Sequence, residues 1–448
     1  MAKTVKKRKP PAVKKSTKTS ARAARPGVKK PTKGNLPSFH HAELDNGLQI
    51  IAECHPHMHS AAMGFYVRTG ARDETPELAG VSHFLEHMIF KGTERRSADD
   101  VNREFDDMGA YCNAFTSDEI TGYYSFLLPE YLEGVIELWS DLLRPALRPD
   151  DFFKEQQVIL EEILMYLDQP PYCADDLCKS IYFGSHPLAN SVLGTQESVS
   201  ALTPDAMRAY QEARYSSQNM VLAATGKIDF DQLVAWADQY CGHWKPQPAP
   251  RQLSMPKIHP GFQVVHKPSS AQQYALLLSD SPSSVDEARC AARLMTIIVG
   301  DDSGSRMYWD MVDSGMAESA NMSTMEYLDC GCVMTFLGCS PENINANLQR
   351  IFEIQRTVEA DGVTQAELDQ ARSKLFSHLV FRSEIPRGRL TPVVYNWLYR
   401  HEYQSLAHDL DRLSRITVDD IMTSVRRHPL SINTTIVVGP ETNVMQPK

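Results

Sequence analysis

The most constraining feature of this 448-residue chain is the pentapeptide His83-Phe84-Leu85-Glu86-His87. Two histidines four residues apart lie on one face of a helix, about one turn from each other, so both imidazole rings can reach a single metal ion. Glu162 follows 75 residues after His87 and offers a carboxylate from a second helix. Such a carboxylate completes a three-ligand zinc site that leaves the fourth position open for water. A zinc site of this kind requires a fold in which two separate helices meet at one point.

Glu86 is the residue of this motif that remains free for proton transfer. Zinc lowers the pKa of a bound water toward about 7, and amide hydrolysis also needs a base that takes the water proton and delivers it to the leaving amine. A surface helix that carries these residues by chance is the competing interpretation. Glu155 lies seven residues before Glu162 and shares its helix face. It would either orient a histidine of the site or be a solvated carboxylate.

Charge divides the chain into an unusual tail and an acidic body. Residues 1–34 carry 13 Lys/Arg and no acidic residue, so the remainder carries 33 basic against 56 acidic residues, a net charge of −23. We predict a disordered basic tail over residues 1–38. It could be a solvated tail, a tether to nucleic acid or another acidic surface, or a targeting segment. Apart from this tail, nothing indicates a nucleic-acid partner.

Two further features bear on the compartment. No stretch approaches the roughly 18 apolar residues that a membrane span needs, so we expect no membrane association. The nine cysteines are odd in number and irregularly spaced, which is typical of free thiols rather than of a disulfide framework. The cysteine pattern favours a reducing compartment.

Local patterns predict the elements around the motif. Thr75-Pro76 is typical of a helix start, and this helix should run through the motif to Gly92. Asp150-Asp151 should cap the helix that carries Glu155 and Glu162. Apolar and β-branched runs predict strands at residues 48–52, 62–67, 111–116, 120–128 and 220–225, and again at 262–265, 275–278 and 332–337.

The order of these elements repeats after a proline-rich stretch. Residues 244–261 contain Pro246, Pro248, Pro250, Pro256 and Pro260, which indicates an extended linker. We therefore predict an α+β fold of two similar domains, residues 39–243 and 262–448. Each would be a mainly antiparallel sheet with helices packed on one face. Only the first domain carries the histidine motif.

Several segments together resemble the pitrilysin-type zinc peptidases, the inverzincins of family M16. The run His83-Phe84-Leu85-Glu86-His87-Met88-Ile89-Phe90-Lys91-Gly92-Thr93 is similar to their H-x-x-E-H signature. Residues 109–116, 158–163 and 186–195 resemble the family's substrate-binding strand, third-ligand helix and following loop. The match is closest to the processing-peptidase branch, which contains bacterial members and the beta subunit of the mitochondrial processing peptidase.

The resemblance implies a role for each matching residue. His83, His87 and Glu162 would hold one zinc ion per chain, Glu86 would be the general base, and Glu155 would match a carboxylate needed near the site. An edge strand beside the metal, to which an extended peptide adds by backbone pairing, would consist of Asn113, Ala114, Phe115 and Thr116. Phe115 would either line an apolar substrate pocket or pack in the core. The second domain would be inactive, and the two domains would enclose a chamber.

The resemblance implies a zinc-dependent endopeptidase or oligopeptidase, but one family feature is missing. Active single-chain members carry an Arg and a Tyr, seven residues apart, in the second half. The matching positions here are Met311 and Glu318. A homodimeric or heterodimeric partner of the same family would then supply that pair. The alternative is a non-catalytic or assembly subunit of such a complex. We expect the bacterial cytoplasm as the location, with the mitochondrial matrix as the alternative.

Overall fold

A computed structural model of the chain describes residues 36–447. The predicted basic tail therefore lies outside the described residues except for its last three positions. The strands form two sheets, one in each half of the chain. The first sheet contains β1 (Ser38–Glu43), β2 (Gln49–Cys54), β3 (Ala61–Val67), β4 (Tyr111–Thr116), β5 (Thr121–Leu127) and β6 (Met220–Gly226). The second contains β7 (Gly261–His266), β8 (Gln273–Ser281), β9 (Ser319–Glu326), β10 (Gly331–Cys339) and β11 (Asn433–Gly439).

Helices occupy most of the chain between the strands. The first half contains α1 (Val81–Ile89), α2 (Ala98–Asp107), α3 (Leu132–Leu142), α4 (Pro149–Asp168), α5 (Ala174–Phe183), α6 (Gln196–Ala201), α7 (Pro204–Arg214) and α8 (Phe230–Cys241). The second half contains α9 (Arg289–Gly300), α10 (Ile344–Asp361), α11 (Gln365–Ser383), α12 (Pro386–Arg400), α13 (Leu406–Arg415) and α14 (Val418–Arg427). Within residues 36–447, no helix has both the length and the apolar character needed to cross a bilayer.

The two sheets have the same topology apart from one added strand. The first sheet has the order β1-β2-β6-β3-β5-β4 and the second has the order β7-β11-β8-β10-β9. In each sheet one pair is parallel, β2 with β6 and β7 with β11, and the remaining pairs are antiparallel. The predicted α+β class with two similar, mainly antiparallel sheets is confirmed.

Each sheet buries one face against the helices of its own half. Strand residues alternate between the two faces, and in β2 the side chains of Ile50 and Ala52 enter a large core with Phe84 and Trp139. Ile51 points to the opposite face. The equivalent core of the second half includes helices α9 and α10.

The other face of each sheet is covered by a helix from the opposite half. Helix α12 packs on β3 and β6, where Leu390, Val393 and Val394 meet Ile51 and Tyr66. Helix α5 packs on β8 and β11 of the second sheet. This exchange adds to the predicted arrangement, and it explains why residues from Pro37 onward form one compact unit.

Two local predictions are wrong. The helix that carries the histidine motif does not start at Thr75, because Pro76–Leu78 forms only a short 3-10 turn and α1 begins at Val81. Gly80, with a φ of 90°, redirects the chain between them. The cap of α4 is Arg148 rather than Asp150-Asp151, which lie in its first turn.

The proline-rich segment is attached to the first half along its path. Residues 245–260 contain neither helix nor strand. Arg251 in this segment donates hydrogen bonds to both carboxylate oxygens of Asp73 and to the carbonyl of Glu119. The domain boundaries at 39–243, 244–261 and 262–448 remain predictions.

Candidate metal centre

Helix α1 presents one polar stripe from an otherwise buried surface. Its apolar side chains Phe84, Leu85, Met88 and Ile89 are buried in the core of the first half. Because side chains three or four apart share a helix face, this packing leaves His83, Glu86 and His87 together on the other side.

The buried carboxyl group of Glu74 fixes the start of this helix. Glu74 accepts hydrogen bonds from the backbone N–H groups of Gly80 and Ser82, each at 2.7 Å. The first N–H groups of a helix have no partner within the helix and carry a partial positive charge. Glu74 therefore anchors the first turn of α1, which begins at Val81, two residues before His83.

Helix α4 brings the third side chain to the histidines. Phe152, Ile159 and Ile163 are buried, which turns Glu162 towards α1. The Glu162 Oε2 atom lies 3.9 Å from His83 Nε2 and 3.8 Å from His87 Nε2. One donor atom from each of these three residues lies within 4.8 Å of the others.

Glu155 holds the second histidine from behind. Its Oε1 atom lies 2.8 Å from His87 Nδ1, and an ionised carboxylate only accepts hydrogen bonds, so Nδ1 donates and Nε2 is directed at Glu162. Lys91 Nζ contacts the other oxygen at 2.6 Å. Burial acts to raise the pKa of Glu155, but His87 and Lys91 outweigh it and lower this pKa.

The two histidines have opposite electrostatic environments. Burial, together with the neighbouring His87, lowers the pKa of His83 to about 4, so His83 is neutral at pH 7. Burial also acts to lower the pKa of His87, but Glu155, Glu162 and Glu86 raise it. Neutral imidazole is the form that binds metal.

Glu86 is half-buried on the same helix as the two histidines. The Thr116 hydroxyl donates a hydrogen bond of 2.6 Å to Glu86 Oε2. Burial raises the pKa of Glu86, while Thr116 and His87 act to lower it. A raised pKa brings a carboxylate closer to the range in which it both accepts and releases protons near neutral pH.

Strand β4, which carries Thr116, is the edge of the first sheet. It pairs only with β5 among the described strands. Asn113 is exposed, and Ala114 is half-buried. Phe115 points to the opposite face from Thr116, where it lies near Tyr66 and Tyr124 and lines a cavity of about 450 Å³.

The donor set fits a zinc ion. Two imidazole nitrogens and a carboxylate oxygen are typical of catalytic zinc sites, in which bond lengths of about 2.1 Å correspond to donor–donor separations of about 3.4 Å. The two separations that involve Glu162, 3.8 and 3.9 Å, are about 0.4 to 0.5 Å longer, and all three donor atoms lie within 4.8 Å of one another. Within residues 36–447, none of these three donor atoms has a hydrogen-bond partner, so each is available to a cation.

Met311 and Glu318, the positions that the sequence resemblance aligns with an Arg/Tyr pair, lie in the second half before β9. Met311 is fully buried in the second core, and Glu318 is exposed. Neither side chain can replace a guanidinium or a phenol as a hydrogen-bond donor.

Three contacts of the site were not anticipated from sequence. Lys91 lies four residues after His87, so both side chains point the same way. This spacing could have indicated that Lys91 and His87 contact the same carboxylate, that of Glu155. Glu74 lies in a stretch that looked like the start of a helix, which concealed its capping role. The contact between Thr116 and Glu86 depends on how β4 packs against α1, and no local signal reveals it.

Comparisons with known proteins found matches over most of the chain. Residues 49–196 match the profile of the insulinase family, peptidase family M16, and residues 201–375 match the profile of the peptidase M16 inactive domain. An uncharacterized zinc protease of Mycobacterium leprae is 31% identical over 84% of this chain and 86% of that protein. The uncharacterized zinc protease YmxG of Bacillus subtilis is 28% identical over 84% and 92%, respectively.

Solved structures share the fold. A protease from Helicobacter pylori superposes with a TM-score of 0.84 at 20% identity, covering 90% of this chain and all of that one (100%). A structure described as a peptidase M16 inactive domain from Pseudomonas fluorescens gives a TM-score of 0.85 at 17% identity, covering 92% and 99%. At these identities the likeness concerns the fold alone.

Proposed function

Because the chain belongs to peptidase family M16, we propose that it is a zinc-dependent endopeptidase or oligopeptidase that hydrolyses extended peptides. The observation that carries this proposal is the approach of His83, His87 and Glu162, with the half-buried carboxylate of Glu86 beside them. Zinc proteases are also the named relatives of this chain.

We propose that His83, His87 and Glu162 bind one zinc ion per chain. Such an ion supplies Lewis acidity, which polarises a substrate carbonyl and makes a nearby water easier to deprotonate near neutral pH. Glu155 keeps the His87 ring oriented through its hydrogen bond to Nδ1. Lys91 keeps that carboxylate ionised and in place.

Glu86 acts as the general base. Its carboxylate takes a proton from the attacking water and delivers it to the amine that leaves the scissile bond. Burial raises the pKa of Glu86, so the protonated form is easier to reach than for a solvated glutamate. The hydrogen bond from Thr116 restrains one oxygen, which leaves the other to exchange the proton.

Strand β4 positions the substrate. Its outer edge is unpaired among the described strands, and an extended peptide that adds to it forms backbone hydrogen bonds with little dependence on side chains. Asn113, Ala114, Phe115 and Thr116 would flank the scissile bond. Unfolded or extended segments are therefore the expected substrates.

A partner chain is the second part of the proposal. Met311 and Glu318 stand where the sequence resemblance leads us to expect an Arg and a Tyr. In a homodimer, the second copy would again carry Met311 and Glu318 at these positions. A heterodimer with a family member that carries the Arg and the Tyr therefore favours activity more than a homodimer does. If the purified chain alone cleaves peptides at full rate, no such partner is needed.

The compartment is inferred from the cysteines. All nine are free thiols, which suits a reducing environment. We propose the bacterial cytoplasm, with the mitochondrial matrix as the alternative.

The decisive experiment compares the wild type with Glu86→Gln, purified with any associated chain. We expect Glu86→Gln to retain bound zinc and to lose about 10²- to 10⁴-fold in the rate of peptide cleavage. Glu161→Gln is the matched control, because Glu161 is exposed on α4 next to Glu162, and it should cleave normally. Equal rates for wild type and Glu86→Gln would leave the non-catalytic assembly subunit as the better description.

A further inference from the structure

A separate cavity of about 370 Å³ lies in the second half of the chain, between helices α9, α11, α12 and α13. None of the metal-centre side chains lines it. At about 30 Å³ per water molecule, it has room for roughly a dozen waters, or for one small organic molecule.

Arginines dominate the polar lining of this cavity. Two carboxylates, Glu326 and Asp409, also reach it. The five arginines are Arg289, Arg293, Arg382, Arg389 and Arg412. This concentration of guanidinium groups stands out in a chain whose body has a large excess of acidic residues.

Three of the arginines already have acidic partners. Arg389 is paired with Glu53, Arg412 lies 2.5 Å from Glu287, and Arg293 lies 3.4 Å from Glu326. The remaining carboxylate, Asp409, lies 3.9 Å from Arg389. Five guanidinium groups therefore face four carboxylates, which leaves an excess of one positive charge.

Arg289 is the side chain that most needs a partner. Its residue is only 9% exposed. Its one hydrogen bond among the described residues runs from Nη1 to the backbone carbonyl of Asp286 at 3.1 Å, and no carboxylate lies within 4.0 Å. Burial lowers the pKa of Arg289, as expected for a cation without a counter-ion. A buried, unpaired charge is costly.

An unsatisfied buried donor lines the same cavity. Ser284 is 5% exposed, and its hydroxyl has no hydrogen-bond partner in the described part of the chain. The large majority of buried polar atoms in folded proteins have a partner. The cavity therefore has one unsatisfied hydroxyl and one guanidinium group without a carboxylate partner, which indicates that an acceptor-rich ligand belongs there.

We propose that this cavity binds a small anion that carries several negatively charged oxygens, either phosphate or carboxylate groups. Arg289 and Ser284 would donate to it from the buried wall, and Arg382 and Arg412 from the open side. Arginine suits this task because its planar group binds such oxygens in pairs. Asp409 opposes the anion and limits its affinity.

Isothermal titration of the full chain, with any co-purified partner, tests this site. The probes are pyrophosphate and citrate, with sodium chloride at matched ionic strength as the background. We expect one of them, or both, to bind saturably at one site per chain. Binding by pyrophosphate alone identifies phosphate as the ligand group, and binding by citrate alone identifies carboxylate.

Variants separate a built site from general charge attraction. Arg289→Met should weaken binding by about tenfold or more. Arg412→Met should act in the same direction if Arg289→Met does not fold. Arg415→Met is the matched control on the same helix, because Arg415 is 76% exposed and lies outside the lining; it should bind normally. Asp409→Asn removes the opposing carboxylate and should strengthen binding severalfold.

Three results would overturn the proposal. Neither probe binds above the chloride background, or Arg415→Met weakens binding as much as Arg412→Met does, or Asp409→Asn weakens it. Peptide cleavage is not part of this test, so its outcome is independent of the proposed peptidase activity.

Discussion

At the scale of single residues, the side chains behind the metal ligands are as informative as the ligands. Glu155 is 5% exposed and contacts His87 and Lys91 at the same time. A carboxylate that accepts from the far nitrogen of a ligand histidine fixes the ring's orientation and tautomer. Its removal should therefore weaken metal binding while the three ligands stay intact.

We predict that Glu155→Gln lowers zinc affinity by about 10- to 100-fold. The amide can still accept one hydrogen bond, but it no longer carries the charge that pairs with Lys91. Competition against a chelator of known affinity measures the change, and Glu161→Gln on the same helix should leave the affinity as it is. An unchanged affinity in Glu155→Gln would mean that the contact only fills space.

The residues of the site differ in how far sequence alone could identify them. His83, Glu86 and His87 are predictable because their spacing acts within one helix turn. Glu162 and Glu155 share a face of their own helix, but their approach to α1 depends on how α4 packs. The position of Thr116 depends on a strand 30 residues after Glu86, and no local pattern carries that information.

At the scale of elements, the first turn of α1 depends on a carboxylate outside the helix. Glu74 is buried and binds the N–H groups of Gly80 and Ser82. Without it, both groups would be buried and unpaired. Since His83 follows directly, the anchoring of this turn also positions the first metal ligand.

Glu74→Ala should destabilise the fold by about 2 kcal/mol, since it removes a helix cap and leaves buried donors unsatisfied. Ser97→Ala, at the exposed cap of α2, should cost about 1 kcal/mol or less. Urea unfolding of both variants gives the comparison. A smaller effect for Glu74→Ala than for Ser97→Ala would show that water or a neighbour replaces the carboxylate.

The predicted start of α1 at Thr75 was wrong because contacts with distant parts of the chain determine where this helix begins. Thr75-Pro76 does start a helical turn, as its residue types predict, but Gly80 then takes a left-handed conformation that no α-helix continues through. A side chain at Gly80 would meet the Leu193 carbonyl at 2.7 Å. The break is therefore imposed by a close approach of distant backbone, which the local sequence does not reveal. Eight of the eleven described strands were predicted within about three residues because their apolar runs are local signals, whereas β1, β9 and β11 were not predicted.

At the scale of the whole molecule, a buried ion pair connects the two halves. Glu53 on β2 is 1% exposed and accepts hydrogen bonds from Arg389 Nε and Nη2 on α12, at 2.8 and 2.6 Å. Tyr403 donates to the same carboxylate. Burial alone would raise the pKa of Glu53, but Arg389 and His55 lower it to about 2.

The pH dependence follows from this shift. A carboxylate whose pKa is lower in the folded state stabilises the fold fully above its unfolded pKa of 4.5, and this contribution is lost as the pH falls towards 2. At pH 7, Glu53→Gln should be less stable than wild type by about 3 kcal/mol, because Arg389 stays buried without its partner.

The difference between wild type and Glu53→Gln should shrink steadily below pH 4.5. Urea unfolding at pH 7, 5, 4 and 3.5 measures it. Glu43→Gln, at an exposed position on β1, serves as a control and should differ little from wild type at pH 7. A difference between wild type and Glu53→Gln that stays constant with pH would contradict the assignment of this stability to the charge of Glu53.

Helices α5 and α12 each pack on the sheet of the opposite half, and this exchange bears on how the chain arose. If a single ancestral unit was copied, each copy would have had an apolar sheet face that its own helices did not cover. Two such units that exchanged one helix each would have formed a domain-swapped dimer. Fusion of their genes would then have fixed the exchange within one chain. The halves would then depend on each other to fold. After cleavage of the chain between them, the two fragments would stay associated, and neither would remain folded alone.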